Sequence, residues 1–260
     1  MPNILLQKLA ENRLLKVFTM GRLFHPVVIE MFGRAGGYDG FWLDQEHAGL
    51  TTDQMTIAGI AARANNLGCF ARVVTTHYSV VTQALESGVD GVMAARIVGA
   101  ADAEEFVKWS KFAPRGWRGM NTSGADGDYT GKTLGQLVET GNNNFVSIQI
   151  ETRSALEQAE QIAAIDGVDL LFMGPSDLSA ELGAIGQPNS PKVLEAAQHV
   201  DAACKKHGKV WGTIAVDPTF AERCAEMSCC RMLTFGNDTR AMRDGIATVK
   251  KTFGKQFDLK

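Results

Sequence analysis

Glu151 and Asp177 are the residues of this chain whose type and setting best suit them to chemistry. Glu151 ends the run Asn144–Glu151 (NFVSIQIE), and Asp177 lies within Leu170–Gly183 (LLFMGPSDLSAELG). Each stretch reads as a buried parallel strand that runs into a polar residue. Both carboxylates therefore fall at strand C-termini, where α/β proteins carry their sites. Neighbouring strand axes lie about 4.8 Å apart, close enough for two such side chains to reach one cation. Hard carboxylate oxygens with no cysteine nearby favour Mg2+, Mn2+ or a similar octahedral ion. The structural alternative is that Glu151 pairs with Arg153 or Arg72, and that Asp177 caps a helix starting at Leu178.

Other residues join this pair by position. Ser147, Gln149 and Glu151 share one strand face, and Phe70, Arg72 and Val74 share another, which turns Arg72 inward. There it offers a charge-assisted bond to a carbonyl or enolate oxygen, or else serves as a partly buried structural arginine. Gly174 permits close backbone approach, and Ser176 with Asp177 offers N–H groups to an anion such as a carboxylate. His47 is the candidate general base, with Glu86 or Asp44 to orient it. His25, His77, His199 and His207 fall on helices or their ends and read as structural. No lysine ends a strand: Lys16 is mid-strand and Lys209 opens one. Imine chemistry, which needs a desolvated lysine in the site, is therefore excluded.

The elements that must hold these groups alternate from end to end of the sequence. Strands are expected at 14–20, 39–44, 69–74, 91–97, 145–150, 168–173, 209–215 and 232–235. Helices are expected at 25–35, 52–66, 80–87, 101–112, 154–165, 191–206, 218–227 and 239–253. Eight strand–helix units in 260 residues match a single (β/α)8 barrel spanning 1–260. An open doubly wound sheet is disfavoured, because no GxGxxG turn follows a strand. The long irregular stretch 114–144 has the length of a functional or mobile loop.

Composition narrows the class. A hydrophobic content of 45% and a net charge of −3 suit a globular protein with no call for nucleic acid or anionic membrane. No apolar run is long enough to span a membrane, and no signal peptide is evident. The five cysteines form no CxxC pair, so reduced thiols and a cytoplasmic location are expected.

The segments FWLDQEHAGL (41–50), FARV (70–73), PRGWRG (114–119), VSIQIET (146–152), IDGVDLLFMGPSDLSAELG (165–183) and FGND (235–238) resemble the HpcH/HpaI class II aldolases. The likeness covers nearly the whole chain. It implies a lyase that cleaves a 4-hydroxy-2-oxo acid to pyruvate and an aldehyde with Mg2+, Mn2+ or Co2+. It also implies a homo-oligomer, a hexamer or trimer of dimers, with the last helix exchanged between protomers. By the same resemblance Glu151 and Asp177 are the metal ligands, and Gln149 and Arg72 hold the pyruvate oxygen. Ser176 and Asp177 take its carboxylate, and His47 is the base beside Asp44.

Three positions depart from the family pattern. Glu86 stands where an Asp usually partners the His, and Ala95-Arg96-Ile97 replaces an apolar Pro-Met-Val. The loop 120–129 is acidic and Gly-rich where the family often carries an Arg for the aldehyde. Either Arg96 takes over part of that carboxylate recognition, or the acceptor is a different and more polar aldehyde. Two competitors share the fold: a lyase acting on acyl-CoA thioesters, and a non-catalytic barrel that binds a small oxo acid.

Overall fold

The computed structural model of the chain describes residues 3–258. Met1, Pro2, Leu259 and Lys260, included in the expected domain, lie outside the described residues. The strands are β1 (Leu15–Met20), β2 (Gly40–Asp44), β3 (Gly68–Val74), β4 (Gly91–Ala95), β5 (Phe145–Ile150), β6 (Leu170–Met173), β7 (Val210–Ile214) and β8 (Cys230–Asn237). All pair in parallel with their sequence neighbours, and β8 returns to β1 to close a barrel. Crossover helices cover the outside, as parallel pairing requires.

Helices α1 (Ile4–Ala10), α2 (Pro26–Ala35), α3 (Thr52–Ala64), α4 (Tyr78–Glu86) and α5 (Ala100–Ser110) accompany the first half of the barrel. A second set follows: α6 (Leu134–Gly141), α7 (Arg153–Glu157), α8 (Ala159–Ala163), α9 (Pro175–Glu181), α10 (Pro191–His207), α11 (Pro218–Ala225), α12 (Asp238–Thr252) and α13 (Gly254–Phe257). The expected helix 154–165 is thus two short ones, broken at Gln158, whose side chain accepts from Ala100 N–H. α6, inside the stretch expected to be irregular, starts from a Thr133/Gln136 capping box. α1 begins at the Asn3 cap, and its Leu5 is buried with the interior side chains at the N-terminal end of the barrel.

Inward side chains of Leu15, Val17, Trp42, Phe70, Phe145, Phe172 and Met232 fill the barrel. A second, larger apolar layer lies between strands and helices. No helix of the described residues is long and apolar enough to cross a membrane.

Candidate active site

A cavity of about 780 Å3 opens at the C-terminal rim of the strands, with His47, Arg72, Gln149, Gly174, Asp177 and Arg240 in its wall. The pleat determines which side chains reach it. Trp42 pairs with Phe70 and Asp44 with Arg72 in the β2–β3 register, so the interior stack of β2 and β3 ends in Asp44 and Arg72. Gln149 takes the equivalent inward place on β5, beside Phe172 of β6.

Arg72 is the centre of this rim. Its side chain is 6% exposed, and its Nη2 and Nε donate to the two oxygens of Asp44 at 2.8 and 3.2 Å. Its Nη1 lies 3.0 Å from Glu46 Oε2, and its Cζ stands 4.6 Å from the centroid of the Trp42 ring. A planar cation gripped by one carboxylate in bidentate fashion, braced by a second and backed by indole has little freedom to move.

Glu151 is buried beside Gln149 and Gly174 of that wall and is not itself part of it. Arg96 donates its backbone N–H to Oε1 at 2.8 Å, and Gln149 Nε2 donates to Oε2 at 2.5 Å. Arg96 is left-handed there (φ +53°), a conformation that costs a side-chain-bearing residue about 1–2 kcal/mol. Burial pushes the Glu151 carboxyl above its ordinary range. The Arg96 N–H opposes this, while the charges of Glu46 and Asp177 add to it. Gly174 packs against this carboxylate, and a Cβ there would meet Glu151 Oε2 at 3.1 Å.

Neither structural alternative for the carboxylates holds. Arg153 binds Glu181, through its N–H to Oε2 at 3.3 Å and through Nη2 to the carbonyl at 2.5 Å. Arg72 is committed to Asp44 and Glu46. α9 begins at Pro175 rather than Leu178. Its cap is Gly174, and Asp177 lies exposed in its first turn without a side-chain capping bond. The N–H groups of Ser176 and Asp177 in that turn have no intrahelical partner.

Not every expected residue is brought to the rim. His47 is: its imidazole is 67% exposed, and its Nε2 lies 3.8 Å from Glu46 Oε2. Asp44 accepts the His47 backbone N–H at 3.2 Å, so it holds the turn rather than the ring. Glu86 is not. It is the last residue of α4, which runs antiparallel to the strands, so it sits at the opposite end of the barrel. There it accepts from Asn121 Nδ2 at 3.2 Å. Loop 120–129 lies between α5 and α6, at that same N-terminal end. The Arg96 side chain is exposed and forms no part of the cavity wall, so Arg96 reaches the site only through its N–H.

Arg240 is a rim residue that the sequence does not single out, while Trp42 and Glu46 stand at the end of the second strand without an assigned role. The available signal for Trp42 and Glu46 was their two-residue spacing from Asp44. No lysine lines the cavity. The buried Lys111, pushed down to about 8 by burial, is at the other end, where its Nζ donates to the carbonyls of Asn142 and Asn144.

Among the described residues no three His, Cys, Asp or Glu side chains converge as a closed metal cage. A two-carboxylate site suits an ion that keeps waters and takes substrate oxygens. The residues fit such an ion. Glu151 is a carboxylate raised by burial and further by neighbouring negative charge, and Gln149 Oε1 beside it is buried and makes no hydrogen bond.

Known proteins resemble this chain in sequence and in fold. The model of the family described as HpcH/HpaI aldolase/citrate lyase matches residues 20–244. Over 233 residues, 90% of each chain, the sequence is 30% identical to 5-keto-4-deoxy-D-glucarate aldolase of Klebsiella pneumoniae. Over 213 residues it is 32% identical to 4-hydroxy-4-methyl-2-oxoglutarate aldolase of Hapsidospora irregularis, covering 81% of this chain and 78% of that one. An HpcH/HpaI aldolase from Desulfitobacterium hafniense superposes with a TM-score of 0.87 at 28% identity, over 98% of this chain and 97% of the other.

Proposed function

Since this chain belongs to the HpcH/HpaI aldolase/citrate lyase family, we propose that it is a metal-dependent pyruvate aldolase that cleaves a 4-hydroxy-2-oxo acid to pyruvate and an aldehyde. The observation that carries this reading is the buried Glu151, held by Gln149 and Arg96 N–H within the field of Asp177 and Arg72. Glu151 and Asp177 would hold a divalent cation (Mg2+, Mn2+ or Co2+), which when bound supplies Lewis-acid stabilisation of charge developing on the 2-oxo oxygen.

The protein's own groups do the rest. The N–H groups of Ser176 and Asp177 take the substrate carboxylate, and Gly174 lets the substrate approach the backbone. Arg72, locked by Asp44 and Glu46, presents its remaining N–H donors to the 2-oxo oxygen without reorganising. His47 accepts the proton of the 4-hydroxyl. The C3–C4 bonding pair then moves into the enolate and C4 leaves as the aldehyde carbonyl; protonation at C3 completes pyruvate. Glu46 is the carboxylate that faces the His47 ring within one chain.

A nucleotide-bearing thioester finds less support. Arg115 and Arg118, the nearest candidates in sequence for its phosphates, are paired with Asp166 and Asp126, and Arg118 is buried.

Homo-oligomer formation belongs to the same proposal. Met242, Ile246, Val249, Phe253 and Phe257 recur at helical spacing along α12 and α13, each more than half exposed. Such a stripe needs a partner, and exchange of this helix between protomers, in a hexamer or trimer of dimers, would cover it. A second copy is also the only route by which Glu86 can approach a His47. The five free thiols support a cytoplasmic setting.

The test is direct: metal-supplemented protein is given a 4-hydroxy-2-oxo acid and pyruvate release is followed with a coupled dehydrogenase. Turnover abolished by EDTA and restored by Mg2+, Mn2+ or Co2+ is expected. Metal-independent turnover, or none with any of these ions, would overturn the reading.

A further inference from the structure

We propose that Arg240 reads a carboxylate on the aldehyde half of the substrate, an inference that rests on the aldolase reading above. Two arginines stand in the wall of the catalytic cavity, Arg72 and Arg240. Arg72 is held on three sides by Asp44, Glu46 and Trp42. Arg240 has one loose contact, its Nε lying 3.6 Å from Asp244 Oδ2, beyond hydrogen-bonding distance.

The carboxylates on that side of the cavity do not compete for the role. Asp217 caps α11, accepting from Phe220 N–H at 2.8 Å and from Asn189 Nδ2 at 2.7 Å. Asp244 is the partner of Arg240 itself. Ile214, Ala215, Val216 and Pro218 supply apolar wall there, beside the polar Asn237. A partly apolar wall carrying one cation, with Asp217 already spent on its helix cap and Asp244 held only loosely, suits an aldehyde with a short carbon chain and a terminal carboxylate.

The position of Arg240 is fixed by the barrel. Asn237 caps α12 and accepts the Arg240 N–H at 2.9 Å. Asp238, the first residue of the helix, accepts from the backbone N–H groups of Gly21 and Leu23 at 2.9 and 2.7 Å. The first turn of α12 is thus tied to the segment after β1, whatever the rest of the helix packs against. A cation in the first turn of a 15-residue helix also opposes the helix dipole. A residue that works against its own helix while facing a reaction cavity points to a ligand. At 780 Å3 the cavity is far larger than pyruvate needs, which leaves room for the second half of a substrate.

The test compares aldol addition of pyruvate to 4-oxobutanoate and to its methyl ester, which keeps the carbon chain but replaces the charge with a neutral group one methyl larger. In Arg240→Gln the KM for 4-oxobutanoate should rise about tenfold, the loss of one exposed charge-assisted contact. The KM for the ester should stay within twofold. Arg240→Lys, which keeps the charge but not the fork, should fall between, and Arg240→Glu should prefer the ester. Equal changes for acid and ester in Arg240→Gln, or no change for either, would overturn the proposal. Turnover of both aldehydes by the unaltered enzyme keeps this outcome distinct from failure of the aldolase reading, in which neither reacts.

Discussion

The two ends of the barrel use the same residue type for opposite purposes. At the N-terminal end Asp39, Asp90 and Asp169 each directly precede a strand, β2, β4 and β6. Each accepts a backbone N–H from the strand before it: Lys16 at 2.9 Å, Cys69 at 2.9 Å and Val146 at 2.8 Å. These carboxylates tie alternate strands together, each through an oxygen that accepts from the backbone, and Asp39 also pairs with Arg13 and Lys8. At the C-terminal end Asp44, Glu46, Glu151 and Asp177 crowd around one arginine. There burial raises Glu151, with the charges of Glu46 and Asp177 adding to it, and the adjacent Gln149 Oε1 makes no hydrogen bond. One end uses its carboxylates to hold the strands together. The other stores unrelieved negative charge, which is what a cation site needs.

The largest break in this contrast should come from Glu151→Gln. Removing a charge that works in the reaction should lower turnover by about 10^2–10^3-fold. Because burial raises the Glu151 carboxyl, its ionised form opposes folding at neutral pH, so the metal-free Tm should hold or rise. A turnover assay and a thermal melt read both. Arg72→Met should fail in both respects. It leaves Asp44 and Glu46 facing each other without their cation, at a cost of about 3–5 kcal/mol by denaturant titration, together with the loss of turnover.

At the other end Asp90→Asn should leave turnover unaltered and change only the pH dependence of stability. Burial pushes Asp90 up to about 6 against the backbone N–H groups of Cys69 and Ile4. The folded chain therefore keeps this proton to higher pH than the unfolded chain, and stability falls as pH rises toward 6. The fall is on the order of 2–3 kcal/mol across that window. In Asp90→Asn the slope should flatten. Asp39 holds the same position but titrates in the opposite direction. Burial raises it, and the Arg13 hydrogen bond at 2.7 Å with other partners outweighs that, so the net shift is downward. Arg13→Ala should have the smallest effect, about 1 kcal/mol at neutral pH and less in acid, since Arg13 is 42% exposed.

The barrel was legible because its signal is repeated. Eight apolar runs alternate with amphipathic stretches, and each element boundary falls within a few residues of its expected place. α1 and α6 escaped, although Asn3 and the Thr133/Gln136 pair are recognisable caps. Both are short helices beside a chain end or a Gly-rich loop, where turn residues mask the helical period. Among the candidate residues, those on strands were placed well, because the two-residue pleat decides which way Arg72, Gln149 and Glu151 point. Glu86 and loop 120–129 follow helices rather than strands. Their end of the barrel follows from chain direction, which spacing to His47 does not reveal. Arg96 shows a different limit: its left-handed turn sends an N–H into the site and the side chain out of it. A residue type in a sequence cannot disclose that its backbone does the contacting.

Exchange of the pyruvate methyl protons in D2O, followed by NMR, tests the central claim most directly, since it needs enolate formation but no aldehyde. Metal-loaded protein should exchange these protons at a rate abolished by EDTA and lowered about 10^2-fold or more in Glu151→Gln. Exchange that survives EDTA, or that Glu151→Gln leaves unchanged, would contradict a cation held by Glu151 and Asp177.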